Sequence, residues 1–222
     1  MKIIFENTQR PLIYGLKLES AYTADSFMQE LPNENWQVEV FKNVGGRQGG
    51  KRCTINGVGR YSSRAVTDSI KGSILRELFT YTLSQSFKAQ WLSAMLADPS
   101  FCKLWGSSDL DEISSYTIVQ SNYVLDNSQA KIGLHLDNRL LVATGMIYLN
   151  QSDSETALQQ STTFYTDQNK SNPFVIEPKF GTGWAAANTH NSWHEGHNIS
   201  TQSRYSLLLG ISVDIGKIRA TK

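Results

Sequence analysis

Apolar residues follow two different periods along the chain, and the change falls near residue 115. In the first half they recur at helical spacing. Thr23 is placed to cap a helix over ADSFMQEL, with Asp25 in the first turn and Phe27, Met28 and Leu31 on the buried side. Thr67, followed by Asp68, is a second candidate cap, and Ile70, Ile74, Leu78 and Tyr81 follow at helical spacing. Phe87, Trp91 and Met95 continue that period until Asp98-Pro99 breaks it. Two short strands, 36–41 and 57–66, are expected between these helices.

After Ser115 the period is two. SYTIVQSNYVL, KIGLHLDN, LLVATGMIYLN, STTFYTD, NPFVIEP, GWAAAN and RYSLLLGISV read as strands divided by turn-rich segments. Helices followed by a run of strands predict an α+β, mainly β fold: a closed or sandwiched sheet buttressed by N-terminal helices. No internal repeat or long linker interrupts the chain, so one domain over 1–222 is expected. Its first part, 1–110, would supply helical support and a substrate lid, and 111–216 the β core.

Composition narrows the classes further. The 222 residues are enough for a sizeable core, and a net charge of +1 gives no drive toward nucleic acid or an anionic membrane. The opening MKIIFENTQRPLIYG lacks the apolar stretch of a signal peptide, and no run approaches the ~18 apolar residues of a membrane span. Cys53 and Cys102 lack CxxC spacing and are too few for a disulfide scaffold, so reduced thiols and a cytoplasmic location are expected.

Three segments carry candidate chemistry. In GLHLDN, strand alternation places His135 and Asp137 on one face and Leu134 and Leu136 on the other. An imidazole beside a carboxylate suits a borderline divalent cation such as Fe(II), although a polar surface strand would read the same way. In the last strand Arg204, Ser206, Leu208 and Gly210 share a face. An arginine in so apolar a strand needs an anion, either a ligand carboxylate shared with the Ser206 hydroxyl or a protein Asp or Glu at the strand's end. Between them, THNSWHEGHNIS holds His190, His194 and His197, the three histidines other than His135.

HLD, SWH and RYS together resemble the facial metal triad and co-substrate anchor of the 2-oxoglutarate/Fe(II) dioxygenases, nearest to the prolyl 4-hydroxylase-like branch. The resemblance spans roughly 116–213 and includes the MIYLN strand and the FY pair of STTFYTD. It implies a double-stranded β-helix, a cupin-like jelly roll. It also implies Fe(II) held by His135, Asp137 and His194, the last chosen because the family's distal ligand stands about ten residues before the basic anchor. Arg204 and Ser206 would bind the far carboxylate of 2-oxoglutarate, with Tyr123 as a further co-substrate contact. Dioxygen would then be used to hydroxylate an unactivated C–H bond in an amino acid, a peptide side chain or a similar polar metabolite. His190 and His197 then become candidates beside the ligands or on the substrate side, or merely loop residues, and Trp193 joins His197 as a substrate-side candidate. Related halogenases replace the triad carboxylate by Gly or Ala; Asp137 is retained here, which favours hydroxylation. A GGxL-type segment common in relatives is replaced by SETALQQSTTFY, which leaves the rim of the site undefined.

Rival readings rest on two segments. Gly45, Gly50 and Lys51 reproduce GxxxxGK, but Arg52 follows where a P-loop needs Ser or Thr, and no helical period comes after it. The same basic stretch, 42–64, is either solvated surface or a lid gripping a nucleotide or other anionic molecule through Arg47, Lys51 and Arg52. A zinc hydrolase using His190, His194 and His197 lacks the helical HExxH arrangement. A cupin-like protein that holds metal without turnover is the remaining alternative.

Overall fold

The computed structural model describes residues 1–38, 47–48, 52–55, 67–128, 130–150 and 154–220. Its strands are β1 (Lys2–Asn7), β2 (Ile13–Glu19), β3 (Trp36–Val38), β4 (Arg47–Gln48), β5 (Arg52–Ile55), β6 (Thr117–Asp126), β7 (Ala130–His135), β8 (Leu141–Tyr148), β9 (Thr162–Tyr165), β10 (Phe174–Ile176), β11 (Thr182–Ala187), β12 (Trp193–Asn198) and β13 (Arg204–Val213). They form two antiparallel sheets, β1-β2-β11-β8-β13-β6-β5-β3 and β10-β9-β12-β7-β4. Successive strands from β6 onward cross repeatedly between the sheets, which is the jelly-roll winding of a double-stranded β-helix. The predicted α+β, mainly β class is what the structure has.

Helices α1 (Ala24–Glu30), α2 (Ser73–Thr82), α3 (Gln85–Leu96), α4 (Pro99–Trp105) and α5 (Leu110–Ser115) precede the β core, and α6 (Ser154–Gln159) and α7 (Ile215–Ala220) lie within and after it. The larger sheet is a two-faced layer. Val119, Tyr123, Leu207, Leu209 and Ile211 meet Leu75, Leu78, Phe79, Phe87, Trp91 and Met95 of α2 and α3 in one core. The alternate residues of β13 and β6, Arg204, Ser206, Leu208 and Asp126 among them, turn into the space between the sheets.

Several local expectations are corrected. The helix expected from Thr67 begins at Ser73; Thr67–Ser69 is only a 3-10 turn. The reason is a cap supplied from elsewhere. Glu34 accepts from the amides of Lys71 and Gly72, and Glu30 from those of Ile74 and Leu75. A Cβ on Gly72 would collide with the Glu30 carboxylate, so the cap requires glycine there. The Phe87–Met95 period belongs to a separate helix, α3, capped by the Ser84 hydroxyl. Asp98-Pro99 ends α3 but also opens α4, with Asp98 as its cap and proline in the first turn.

Of the strand expected at 36–41 only Trp36–Val38 is described, and 57–66 lies outside the described residues. Strands β1, β2, β4, β5 and β12 add to those expected from the sequence. Four strands from the first 110 residues extend the larger sheet, so that part supplies more than helices.

Candidate metal centre

The strand pairing β12–β7 sets the site. His194 opens the inner face of β12 directly opposite His135, the last residue of β7. The register slips between His194 and Gly196, a bulge that pinches the two imidazoles together, with ring centroids 4.3 Å apart. β7 ends at His135, so Asp137 is not placed by strand alternation as its sequence suggests. It stands in the turn before β8, where Asn138 Oδ1 accepts from Leu140 N and Asn138 O from Leu141 N. The Asn188 side-chain amide, at the end of β11, ties this turn down by donating to the carbonyls of Asn138 (2.7 Å) and Leu141 (3.0 Å).

His135 Nε2 lies 3.7 Å from Asp137 Oδ1, and His194 Nε2 lies 3.6 Å from Asp137 Oδ2. All three ligand atoms fall within 4.8 Å of one another. A metal held by three such donors at about 2.1 Å would bring them to about 3 Å apart, a contraction of roughly 0.6–0.7 Å at the two Asp137 pairs that side-chain rotation can supply. Each ligand is held by a neighbour. His135 Nδ1 faces Gly133 O at 2.8 Å and His194 Nδ1 faces Ser192 O at 3.0 Å, so each Nδ1 carries the proton and each Nε2 presents a lone pair. Thr144 Oγ1 donates to Asp137 Oδ2 at 2.7 Å. His194 is further enclosed by Phe164 and Trp184, whose rings meet edge to face.

One cavity joins this triad to Arg204. Its lining includes His135, Asp137, His194, Trp184, Arg52 and Arg204. Arg204 is 1% exposed; its Nη2 donates to Asp126 Oδ2 at 2.6 Å, and its Nη1 to the carbonyls of Gln160 and His197. The protein-carboxylate alternative for this arginine is therefore realised, yet only in part. Arg204 Nε and Ser206 Oγ are buried without a partner among the described residues. Such orphans are costly; Arg204 lines the cavity, so a ligand carboxylate there would satisfy its Nε, while Ser206 stands two residues on along the same face of β13 but is not among the lining residues. The donor set at the other end, two nitrogens and one oxygen, fits Fe(II). The residues present thus fit both the metal and a 2-oxo acid with a distant carboxylate.

Other expected site residues fall elsewhere. Tyr123 is corrected: it points to the helical layer, stacks on Phe79 and donates its hydroxyl to Leu75 O at 2.6 Å. Arg52 is not on an exposed lid but buried in the cavity lining, paired with Asp126. Lys51 and the Arg47 side chain lie outside the described residues. Trp193 and His197 are on β12 but do not line this cavity, and His190 borders a second cavity near Arg10 and Leu104. Among the described residues, His190 and His197 do not join the metal-ligating group, so the three-histidine zinc set is not assembled.

Two buried neighbours of Arg204 have little signature in the sequence. Tyr148, fully buried on β8, shares a hydrogen bond with Thr162 at 2.9 Å and sits close enough to Arg204 to feel its charge. Burial raises its hydroxyl above the ordinary tyrosine range, so it stays a neutral donor. Asp126, the other, was legible only as an acid ending an apolar strand.

No protein-family model matches the chain, and no curated protein matches it in sequence. Solved structures do resemble it. A 2OG-Fe(II) oxygenase family oxidoreductase from Burkholderia pseudomallei is 16% identical, with a TM-score of 0.53 over 90% of this chain and 85% of that one. A prolyl hydroxylase from Trichoplax adhaerens, in complex with a hypoxia inducible factor peptide fragment, is 16% identical with a TM-score of 0.53, covering 96% and 87%. The dioxygenase for auxin oxidation 1 from Arabidopsis thaliana, a complex with 2-oxoglutarate, is 11% identical with a TM-score of 0.53, covering 87% and 77%. The chain therefore has the double-stranded β-helix fold of these oxygenases.

Proposed function

We propose that the protein is an Fe(II)- and 2-oxoglutarate-dependent dioxygenase that hydroxylates an unactivated C–H bond in an amino acid, a peptide side chain or a similar polar metabolite. One observation carries the reading: His135, Asp137 and His194 share a cavity with an arginine whose Nε, like the nearby Ser206 Oγ, is buried without a partner among the described residues. A bare metal-binding protein would have no use for the second feature. The likeness in fold to oxygenases, one of them holding 2-oxoglutarate and another a peptide, supports the same reading.

When bound, iron and 2-oxoglutarate would supply the oxidant, with decarboxylation of the oxo acid to succinate. The chain's part is placement. His135, Asp137 and His194 would hold the metal with two nitrogens and one oxygen, too few donors to saturate Fe(II), so room for the oxo acid and dioxygen would remain. Arg204 Nε would anchor the far carboxylate, with Ser206 Oγ two residues on along the same face of β13 as a further donor if the ligand reaches it. Phe164 and Trp184 close the wall behind His194 and keep water from it. Asp137 keeps a ligand at the third position, which supports hydroxylation over halogenation.

The test is anaerobic titration of the purified protein with Fe(II) and 2-oxoglutarate. A weak visible charge-transfer band of the chelate is expected, and it should vanish in Asp137→Ala. Folded protein that binds iron but shows no band with the oxo acid would overturn the reading in favour of a metal-binding cupin-like protein.

A further inference from the structure

We infer that Arg52 is a positioning residue for the co-substrate carboxylate, acting through Asp126. The inference rests on the co-substrate reading above and adds a residue to it. Arg52, Asp126 and Arg204 stand on one rung of the larger sheet: β5 pairs Arg52 with Asp126, and β13 pairs Arg204 with the same Asp126. The order of charge across three adjacent strands is plus, minus, plus. All three are buried, at 8%, 1% and 1% exposure.

The contacts are unequal. Arg52 grips both carboxylate oxygens as a fork, Nε to Oδ1 at 2.5 Å and Nη2 to Oδ2 at 2.7 Å. Arg204 holds only Oδ2, through Nη2 at 2.6 Å, while its Nη1 serves two backbone carbonyls. The Nε edge of Arg204 is what remains for a ligand. A carboxylate docking on that edge arrives beside Asp126. Although burial alone would raise the Asp126 carboxyl, Arg52 and Arg204 hold it far below the ordinary carboxylate range, so it stays charged. Two carboxylates would then share one guanidinium in a poorly solvated cavity, where repulsion at about 5 Å is worth on the order of 100-fold in affinity. The bidentate grip of Arg52 offsets that charge. Asp126 in turn fixes the plane of Arg204, so the device orients the anchor without occupying it.

A mere strut would need Arg52 only for folding. The two roles separate in a double-mutant cycle on the whole chain loaded with Mn(II), with 2-oxoglutarate binding measured by calorimetry. Arg52→Met should weaken 2-oxoglutarate on the order of 100-fold while Mn(II) affinity stays within a few-fold. Adding Asp126→Asn to Arg52→Met removes the offending charge and should restore affinity to within about tenfold of the parent. If Arg52→Met does not fold, the comparison is Asp126→Asn with and without Arg52→Met, in which removing Arg52 should cost less than about tenfold. Unchanged binding in Arg52→Met, or a double variant as weak as the single one, overturns the inference. Failure of the parent protein to bind 2-oxoglutarate at all would instead remove the co-substrate reading itself.

Discussion

Thr144→Val isolates one hydrogen bond at the metal centre. Thr144 is 7% exposed on the inner face of β8, and valine is close to it in shape, so the change leaves little cavity and chiefly deletes the donor to Asp137 Oδ2. Two effects oppose each other. Loss of the donor leaves more electron density on the carboxylate, which strengthens its bond to a metal. It also frees the carboxylate to rotate. Asp137 keeps 13% of its side chain exposed, so in metal-free protein the released oxygen can be hydrated. The penalty is then one of orientation, not of a stranded charge. A hydrogen bond to a charged acceptor contributes about 1.5–3 kcal/mol, and loss of a neighbour that orients a ligand typically costs about 10–100-fold in metal affinity. Orientation therefore wins, and Fe(II) affinity should fall about 10-fold or more. Anaerobic calorimetry with Fe(II) measures it, and Thr144→Ser should lie near the parent. Equal affinity in the valine and parent proteins, with both folded, would refute the claim that this hydroxyl presets the site.

Other expectations follow from contacts of the same kind. Tyr123→Phe deletes the bond to Leu75 O and should lower unfolding stability by about 1 kcal/mol while leaving 2-oxoglutarate affinity unchanged; a selective loss of co-substrate binding would return Tyr123 to the cavity. Gly72→Ala should cost about 1–3 kcal/mol in denaturant unfolding, because its Cβ displaces the Glu30 cap from α2. Burial and the hydrogen-bonded Glu195 carboxylate raise the Tyr165 hydroxyl to about 12. Folding favours its neutral form, so this contribution is complete below the ordinary tyrosine value of about 10 and is lost as pH climbs from there toward 12. The phenolate absorbance removed by Tyr165→Phe should titrate near 12; a component titrating near 10 refutes the pairing.

Much of the β core could be read from alternation because its faces differ so strongly. Leu207, Leu209 and Ile211 pack on helices while Arg204 and Ser206 turn inward, and period two reports that contrast directly. β12 escaped for the opposite reason. Its inner face carries His194, Gly196 and Asn198, and its outer face Glu195 and His197, so polarity does not alternate at all. A strand whose inward side carries a candidate metal ligand and a loop-anchoring asparagine looks like a turn to any hydrophobic pattern. The start of α2 was misplaced because its cap comes from Glu30 and Glu34, some forty residues earlier, where a rule about neighbouring residues does not look.

The candidate metal ligands and the proposed anchor illustrate the same boundary more sharply. HxD and the spacing of His194 to Arg204 identify residues, and the structure brings those residues to one cavity. What charge Arg204 meets is a different matter, decided by strand order. Because β6 lies between β5 and β13, Asp126 falls between two arginines, one 74 and the other 78 residues away in sequence. Of the two readings of Arg204 left open by its sequence, the pairing with a protein carboxylate is realised, and its unpartnered Nε leaves room for the proposed ligand. A buried arginine fully satisfied by one aspartate would be structural, and one with no partner would be hard to fold. Sharing Asp126 with Arg52 avoids both outcomes, since Arg204 is held in the unliganded fold and still has Nε to offer.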